Sequence, residues 1–452
     1  MQPSPCPRDL SVLSGFQSFL FTRVPADQLN RWWQQARRLI RRPPVLAFSD
    51  LLCALVYHAL MASGTLATHV AELLGQSSSD AALSQRRQRL PWPLFEQILR
   101  AALRPRAEPS QHPQAFYHGL RLVGLDGTSF ALNNTPQIVR ALGKAASRRF
   151  RAAFARVQVT VLVELALHNP LAAAIGQRGE SEYALAQRLL ESLPAGSLLL
   201  ADRLYGLPAF VLELLARCRA VQGEFLVRVR ANLHARLVQR LADGSALVSA
   251  QSARQKGQPA QGLLVREIQG RVRARGGQWK AVRLWTSLLD ARAHPAGELL
   301  ALYAQRWELE LTVAEWKVAI RGGERLASYT VTTAAQEIAA LLLAHALLAE
   351  VRCVAGQGAE QEVLRISFGT TLRLLQALWT VLEVGAGLHS PEQARALMQR
   401  TLETIAKTAI AKRRLRSCPR AVRQTTTAWP RLIRRRETHG AFQYQVMPHG
   451  KS

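Results

Sequence analysis

A chain of 452 residues with 48% hydrophobic and 20% charged residues carries enough apolar material for roughly two to four folded domains, which excludes a disordered or low-complexity protein. Its charge is lopsided: 59 Lys plus Arg against 31 Asp plus Glu leave a formal net charge of +28, so the expected partner is a polyanion, with nucleic acid first. The five cysteines, Cys6, Cys53, Cys218, Cys353 and Cys418, form no CxxC pair, which argues against a zinc ribbon or a disulfide framework and fits a reducing cytoplasm. No signal peptide is read, and the longest apolar run, around Ile338 to Leu348, is broken by His345 and Glu350, so no membrane span is expected.

The chain opens helical, to about residue 110. Asp50 to Met61 reads as an apolar helix, Gly64 as a break and Leu66 to Leu74 as a second helix, after which Gly75 and the run Ser77, Ser78, Ser79 supply a turn and an N-cap. The next helix, DAALSQRRQRL, carries Arg86, Arg87 and Arg89, and a basic helix after a helix and a glycine turn has the layout of a helix-turn-helix. Two readings stay open for it: specific DNA recognition, or a solvated basic face.

Between Leu120 and Asn232 helical periodicity gives way to alternation. LRLVGLD reads as a strand ending at Asp126, VQVTVLVELAL and LAAAIG as two more joined by a tight turn, SLLLAD as a fully apolar strand ending at Asp202, and EFLVRVR as a fifth, with helices at Glu180 to Ser192 and Pro208 to Cys218. The order βββαβαβ predicts a mixed sheet with helices on its faces. In that order the first and fourth strands can lie side by side, each delivering an aspartate at its end.

Further on, YAQRWELELTVAEWK predicts a helix. At about 100° per residue, Tyr303, Arg306, Glu310 and Lys317 fall within about 60° of one another as a polar ridge. Leu302, Leu309, Val313, Trp316 and Ile320 form an apolar stripe beside it, and Glu308 and Glu315 are expected on the far side. Asp126, Asp202 and Glu310 would then form an acidic cluster. Three gathered carboxylates repel one another, an arrangement that a divalent cation makes tolerable, and oxygen-only ligands select Mg²⁺ or Mn²⁺. Two such ions about 4 Å apart suit an in-line phosphoryl displacement.

With both aspartate motifs, LDGTSF and ADRLYG, and the Tyr, two residues, Arg, three residues, Glu, six residues, Lys spacing, the chain resembles a DDE transposase of the bacterial insertion-sequence-four family. The resemblance covers most of residues 115–355. It implies an α+β multidomain protein: a helical DNA-binding region at 1–112, a ribonuclease-H-like mixed sheet flanked by helices at 113–232 and 296–355, a β-rich insertion at 233–295, and a helical C-terminal region with a basic tail at 356–452. It implies that Asp126, Asp202 and Glu310 are catalytic and hold two Mg²⁺ or Mn²⁺ ions, while Tyr303, Arg306 and Lys317 grip the DNA backbone. Arg203 and Tyr205, beside Asp202, are candidates for further contacts. Trp285 resembles in position a base-flipping tryptophan of the family's insertion, and a strand-core aromatic is the equal alternative.

The expected partners are double-stranded DNA at the transposon terminal inverted repeats and at the target, with a homodimer forming on paired ends. From Lys407 to Arg436 eleven residues are Lys or Arg and none is acidic, an arm for non-specific, salt-dependent DNA contact. Two other classes stay open: a ribonuclease-H-like nuclease, which would share the acids without the ridge, and a catalytically inactive DNA-binding regulator, which needs neither.

Overall fold

The computed structural model describes residues 16–36, 46–61, 63–145, 152–251, 262–274, 278–385, 387–410, 416–417, 437–438 and 442–447. The chain forms two compact units, one of Met1–Arg104, Ala131–Ala141 and Ala314–Ile410, the other of Pro105–Phe130, Leu142–Val313 and Ala411–Ser452.

The first unit is helical. Helices α1 (Phe16–Phe21), α2 (Ala26–Ala36), α3 (Phe48–Leu60), α4 (Leu66–Leu74), α5 (Asp80–Gln88) and α6 (Trp92–Ala102) precede α7 (Pro136–Leu142). The caps are those the sequence offers: Thr65 and Ser79 accept from Thr68 and Ala82 backbone N–H groups, and Gly75 ends α4 at φ 61°. Later in the chain come α12 (Val331–Gly358), α13 (Phe368–Val384) and α14 (Pro391–Ala406). α12 is long and apolar enough to cross a membrane, but 89% of its most apolar window is buried within the protein. It is the axis of this unit, packed against α3, α6 and α14.

The second unit is built on one mixed sheet. Its strands are β1 (Phe116–Tyr117), β2 (Leu120–Ala131), β3 (Arg156–Glu164), β4 (Asn169–Ile175), β5 (Ser197–Ala201), β6 (Glu224–Arg228), β7 (Arg236–Arg240), β8 (Ala246–Gln251), β9 (Gly262–Ala274) and β10 (Lys280–Thr286). They run in the order β4-β3-β2-β5-β6-β10-β9-β8-β7, with β1 on β2 and the segment Phe442–Val446 on β9. The pairs β2·β5 and β5·β6 are parallel, which is why SLLLA can be buried at all five positions: a central parallel strand has both faces covered. Helices α8 (Glu182–Leu190) and α9 (Pro208–Ala220) make the crossovers, and Leu185, Leu189, Phe210 and Leu214 close a core over Val123, Leu125, Leu199 and Phe225. The alternating stretch after Asn232 forms β7 to β10, and β10 pairs antiparallel with β6, so these strands extend the central sheet. Helices α10 (Ala296–Tyr303) and α11 (Trp307–Ala314) follow β10 in the chain. Most of the basic tail lies outside the described residues.

Candidate active site

The register of β2 on β5 runs from Arg121↔Ser197 to Leu125↔Ala201. Asp126 is the next residue of β2 and Asp202 the first after β5, so the sheet delivers both carboxylates side by side; the strand expected to end at Asp126 instead runs on to Ala131, and only Asp202 stands at a strand end. Asp126 accepts from the Gly127 N–H at 2.9 Å, and Asp202 accepts from the Leu204 N–H at 2.7 Å. Asp126 thus binds the next backbone N–H within β2 and Asp202 fixes the turn after β5, and each keeps oxygen lone pairs for another partner.

The helix bearing Glu310 is not one straight α-helix. A 3₁₀ turn, Ala304–Arg306, separates α10 from α11, and a π-helical turn, Glu315–Ile320, follows α11. Tyr303, at the end of α10, donates its hydroxyl to the Ala201 carbonyl at 3.1 Å, one residue before Asp202. The Arg306 guanidinium lies between two carboxylates, 2.8 Å from Glu310 Oε1 and 3.6 Å from Asp126 Oδ2. Gly124 explains how α11 reaches Asp126's strand. A Cβ there would stand 2.7 Å from Leu309 Cγ and 2.6 Å from Leu165 Cδ2, so only a glycine lets the helix approach β2 this closely.

Electrostatics follow from this crowding. Burial pushes the Asp126 carboxyl up to about 7; Arg306 and the Gly127 N–H pull it down, and Asp202 and Glu182 push it further up. Burial would lower the Arg306 guanidinium, but Tyr303, Glu310 and Asp126 hold it above its ordinary value. Burial also raises the Tyr303 hydroxyl, which stays a neutral donor. Glu182 was not marked by any spacing in the sequence. It sits in the first turn of α8 and accepts from the Tyr205 hydroxyl at 2.8 Å, and burial, with Asp202 adding to it, raises its carboxyl.

Other expected site residues are placed differently. Lys317 is in the first unit, on the π-helical turn, 3.8 Å from Glu324. Glu315, expected on the far side of the helix, is buried there. Its Oε2 is 2.9 Å from His345 Nε2 and its Oε1 is 3.6 Å from Arg352, because α12 presents both basic groups beneath the turn. Glu308 pairs with His168 at 2.8 Å. Arg203 is exposed, whereas Tyr205 is fully buried. Trp285 is fully buried and donates its indole N–H to Glu267 at 2.8 Å, so it contacts DNA only if its strand opens. Arg86 donates to the Leu46 carbonyl, and Arg87 donates to Gln336 Oε1 and the Thr333 carbonyl, each at 3.3 Å, which leaves Arg89 as the exposed arginine of this group.

Residues 118–347 match the family model described as the transposase DDE domain. The chain belongs to this family. It is 27% identical over 359 residues to the transposase InsG of insertion sequence element IS4 from Escherichia coli strain K12, an alignment spanning 77% of this chain and 78% of that one. It is also 28% identical over 126 residues to the putative transposase InsZ of the same organism, covering 28% of this chain and 42% of the relative. Among solved structures it is similar to the piggyBac transposase in a synaptic complex with hairpin DNA, at 11% identity and a TM-score of 0.39 over 87% of this chain and 84% of that one, a likeness too distant to carry an argument. The protein is therefore a DDE transposase of the IS4 type, a DNA-cleaving and strand-transferring enzyme of a family that generally depends on divalent metal. This membership selects transposase over the nuclease and regulator alternatives.

The donor set suits such a metal in kind: carboxylate oxygens, with a half-buried aspartate whose charged form is disfavoured until a cation arrives. Among the described residues, however, no three His, Cys, Asp or Glu side chains are gathered tightly enough to hold an ion as they stand.

Proposed function

We propose that Asp126, Asp202 and Glu310 are the catalytic carboxylates of this transposase and hold Mg²⁺ or Mn²⁺, in the form of two ions, during cleavage of transposon ends and joining to target DNA. The observation that carries the reading is the register: Asp126 and Asp202 follow directly on the paired residues Leu125 and Ala201 of neighbouring parallel strands. When bound, the metal supplies activation of the attacking oxygen and stabilisation of the leaving one. The chain's own groups do the rest. Arg306, which spans Asp126 and Glu310, pulls the Asp126 carboxyl down against the effect of its burial and gives up Glu310 as the cluster tightens. Its planar fork then suits a phosphate oxygen of the DNA backbone. Tyr303, tethered to the carbonyl before Asp202, and Lys317 serve the same backbone, with Arg203 as an exposed neighbour.

The finer architecture belongs to this reading. Segments 113–232 and 296–355, which include β2–β6 and α8 to α11, are assigned to the ribonuclease-H-like core; β7 to β10 are the insertion of 233–295; 1–112 and 356–452 are helical flanks that contact DNA, the first through Arg89. The active species is a homodimer on two paired ends, because one acidic cluster serves one end at a time. A net charge of +28 keeps free copies apart until DNA neutralises it. The buried cysteines Cys53, Cys218 and Cys353 suit a cytoplasmic, nucleoid-bound protein.

The experiment is cleavage of DNA carrying the element's own inverted repeats, in Mg²⁺ and in EDTA, together with light scattering at moderate salt with and without a paired-end oligonucleotide. Metal-dependent cutting at the repeat ends by a complex of two chains supports the reading. Cutting in EDTA, or by a complex with one chain, contradicts it.

A further inference from the structure

Glu182 lies between the β2 backbone beside Asp126 and the turn after Asp202. Its carboxyl carbon lies so close to Gly127, the residue after Asp126, that a Cβ on that glycine would stand 2.1 Å from it. On its other side, Oε1 receives the Tyr205 hydroxyl at 2.8 Å, and the Tyr205 backbone N–H in turn donates to the Asp202 carbonyl at 3.2 Å. Tyr205 is fully buried, against Phe210 of α9, so the hydroxyl has no freedom to point elsewhere. Glu182 is not needed to cap α8, because Ser181 already accepts from the Ala184 N–H. A first-turn glutamate that only served the helix would face solvent; this one is turned inward between β2 and the turn that follows β5.

We infer that Glu182 is a positioning residue for the transposase reaction, bracing Gly127 on one side and Tyr205 on the other so that Asp126 and Asp202 are held at one separation. The inference rests on the reading that those two aspartates hold the metal. A side chain that touches the backbone beside the ligands and not the metal orients the coordinating oxygens, and losing such support typically costs about 10- to 100-fold in metal affinity. The glycine at 127 follows from the same geometry, since any side chain there displaces the brace.

The test uses the full chain and Mn²⁺ alone, with bound metal measured by the loss of free Mn²⁺ signal in electron paramagnetic resonance, beside thermal unfolding and Mn²⁺-supported nicking of supercoiled plasmid. Glu182→Ala is expected to weaken Mn²⁺ binding about tenfold or more, in the range of outer-shell losses, with a nicking defect that added Mn²⁺ partly restores. Glu182→Gln keeps an oxygen acceptor for Tyr205 and is expected to lose less. Tyr205→Phe, which removes one hydroxyl, is expected to shift Mn²⁺ affinity in the same direction as Glu182→Ala and serves should the alanine variant fail to fold. Wild-type Mn²⁺ affinity in Glu182→Ala and Tyr205→Phe, even with lowered melting temperatures, overturns the inference by making the brace merely structural. Equal losses in Glu182→Gln and Glu182→Ala overturn it by making charge, not position, the contribution. Asp126→Asn separates the two layers. If it binds Mn²⁺ as the wild type does, the metal reading itself fails; if it is defective while Glu182→Ala is normal, only the role of Glu182 fails.

Discussion

Leu309 of α11 lies against Gly124 of β2 so closely that an added Cβ would stand 2.7 Å from the leucine's Cγ. This contact sets how near the helix carrying Glu310 comes to the strand carrying Asp126. Replacing Gly124 by Val is expected to cost about 1–3 kcal/mol of stability through overpacking. Cleavage should fall further than that loss explains, because the helix is pushed off the strand. Thermal unfolding and end cleavage measured on one preparation check it, and a variant with full cleavage contradicts the packing.

The raised Asp126 carboxyl gives a pH signature in metal-free protein. Its folded value, about 7, lies above the ordinary 3.8, so between these the native state binds more protons than the unfolded state and stability falls as pH rises through this window. Asp126→Asn should therefore be more stable than the wild type at pH 8, by a few kcal/mol at most, with the gap closing below about pH 4. Mg²⁺ at pH 8 should raise the melting temperature of the wild type and not of the variant. A wild type that is the more stable at pH 8 without metal would sink this account.

Glu315 and Glu310 should separate fold from chemistry. Glu315 is buried against His345 and Arg352, and removing one partner of a buried ion pair costs about 3–5 kcal/mol. Glu315→Ala is thus expected to lose activity together with melting temperature. Glu310→Ala, whose partly exposed carboxylate pairs with Arg306, should lose cleavage with little change in melting temperature. Differential scanning calorimetry alongside the cleavage assay distinguishes the two.

The arginines of α5 should also divide. Arg87 ties α5 to Gln336 and Thr333 on α12, so Arg87→Ala should lower stability by about 1–3 kcal/mol through the hydrogen-bond partners left behind. Exposed Arg89→Ala should leave stability alone and reduce the salt slope of DNA binding by about 1 if it meets a phosphate. Binding isotherms at several salt concentrations read this out; the reverse assignment would mean that α5 presents its other face.

Much of the site was legible because it rests on local rules. Alternation placed Asp126 and Asp202 on separate strands, the strand order put those strands together, and helical spacing gathered Tyr303, Arg306 and Glu310, although β2 runs past Asp126 to Ala131 where the alternation suggested an end. The illegible parts depend on distant partners. Nothing near Glu315 in sequence reveals that His345 and Arg352 on α12 bury it, and the π-helical turn that changes the phase at Lys317 has no local signature. Glu182 looks like any acid favoured in the first turn of a helix; its signal is the glycine after Asp126, visible only once α8 is docked. Arg86 and Arg87 illustrate the converse, since a basic run shows charge but not which guanidinium groups the fold itself consumes.

Asp126, Asp202 and Glu310 are proposed to share one catalytic role. The most direct measurement is single-turnover cleavage of transposon-end DNA in Mg²⁺ by Asp126→Ala, Asp202→Ala and Glu310→Ala, with end binding measured in parallel by gel shift. Each variant is expected to bind ends within a few-fold of the wild type and to show no detectable cleavage, because metal-dependent chemistry and backbone gripping use different groups. Substantial cleavage by any one of the three, with binding intact, would contradict it.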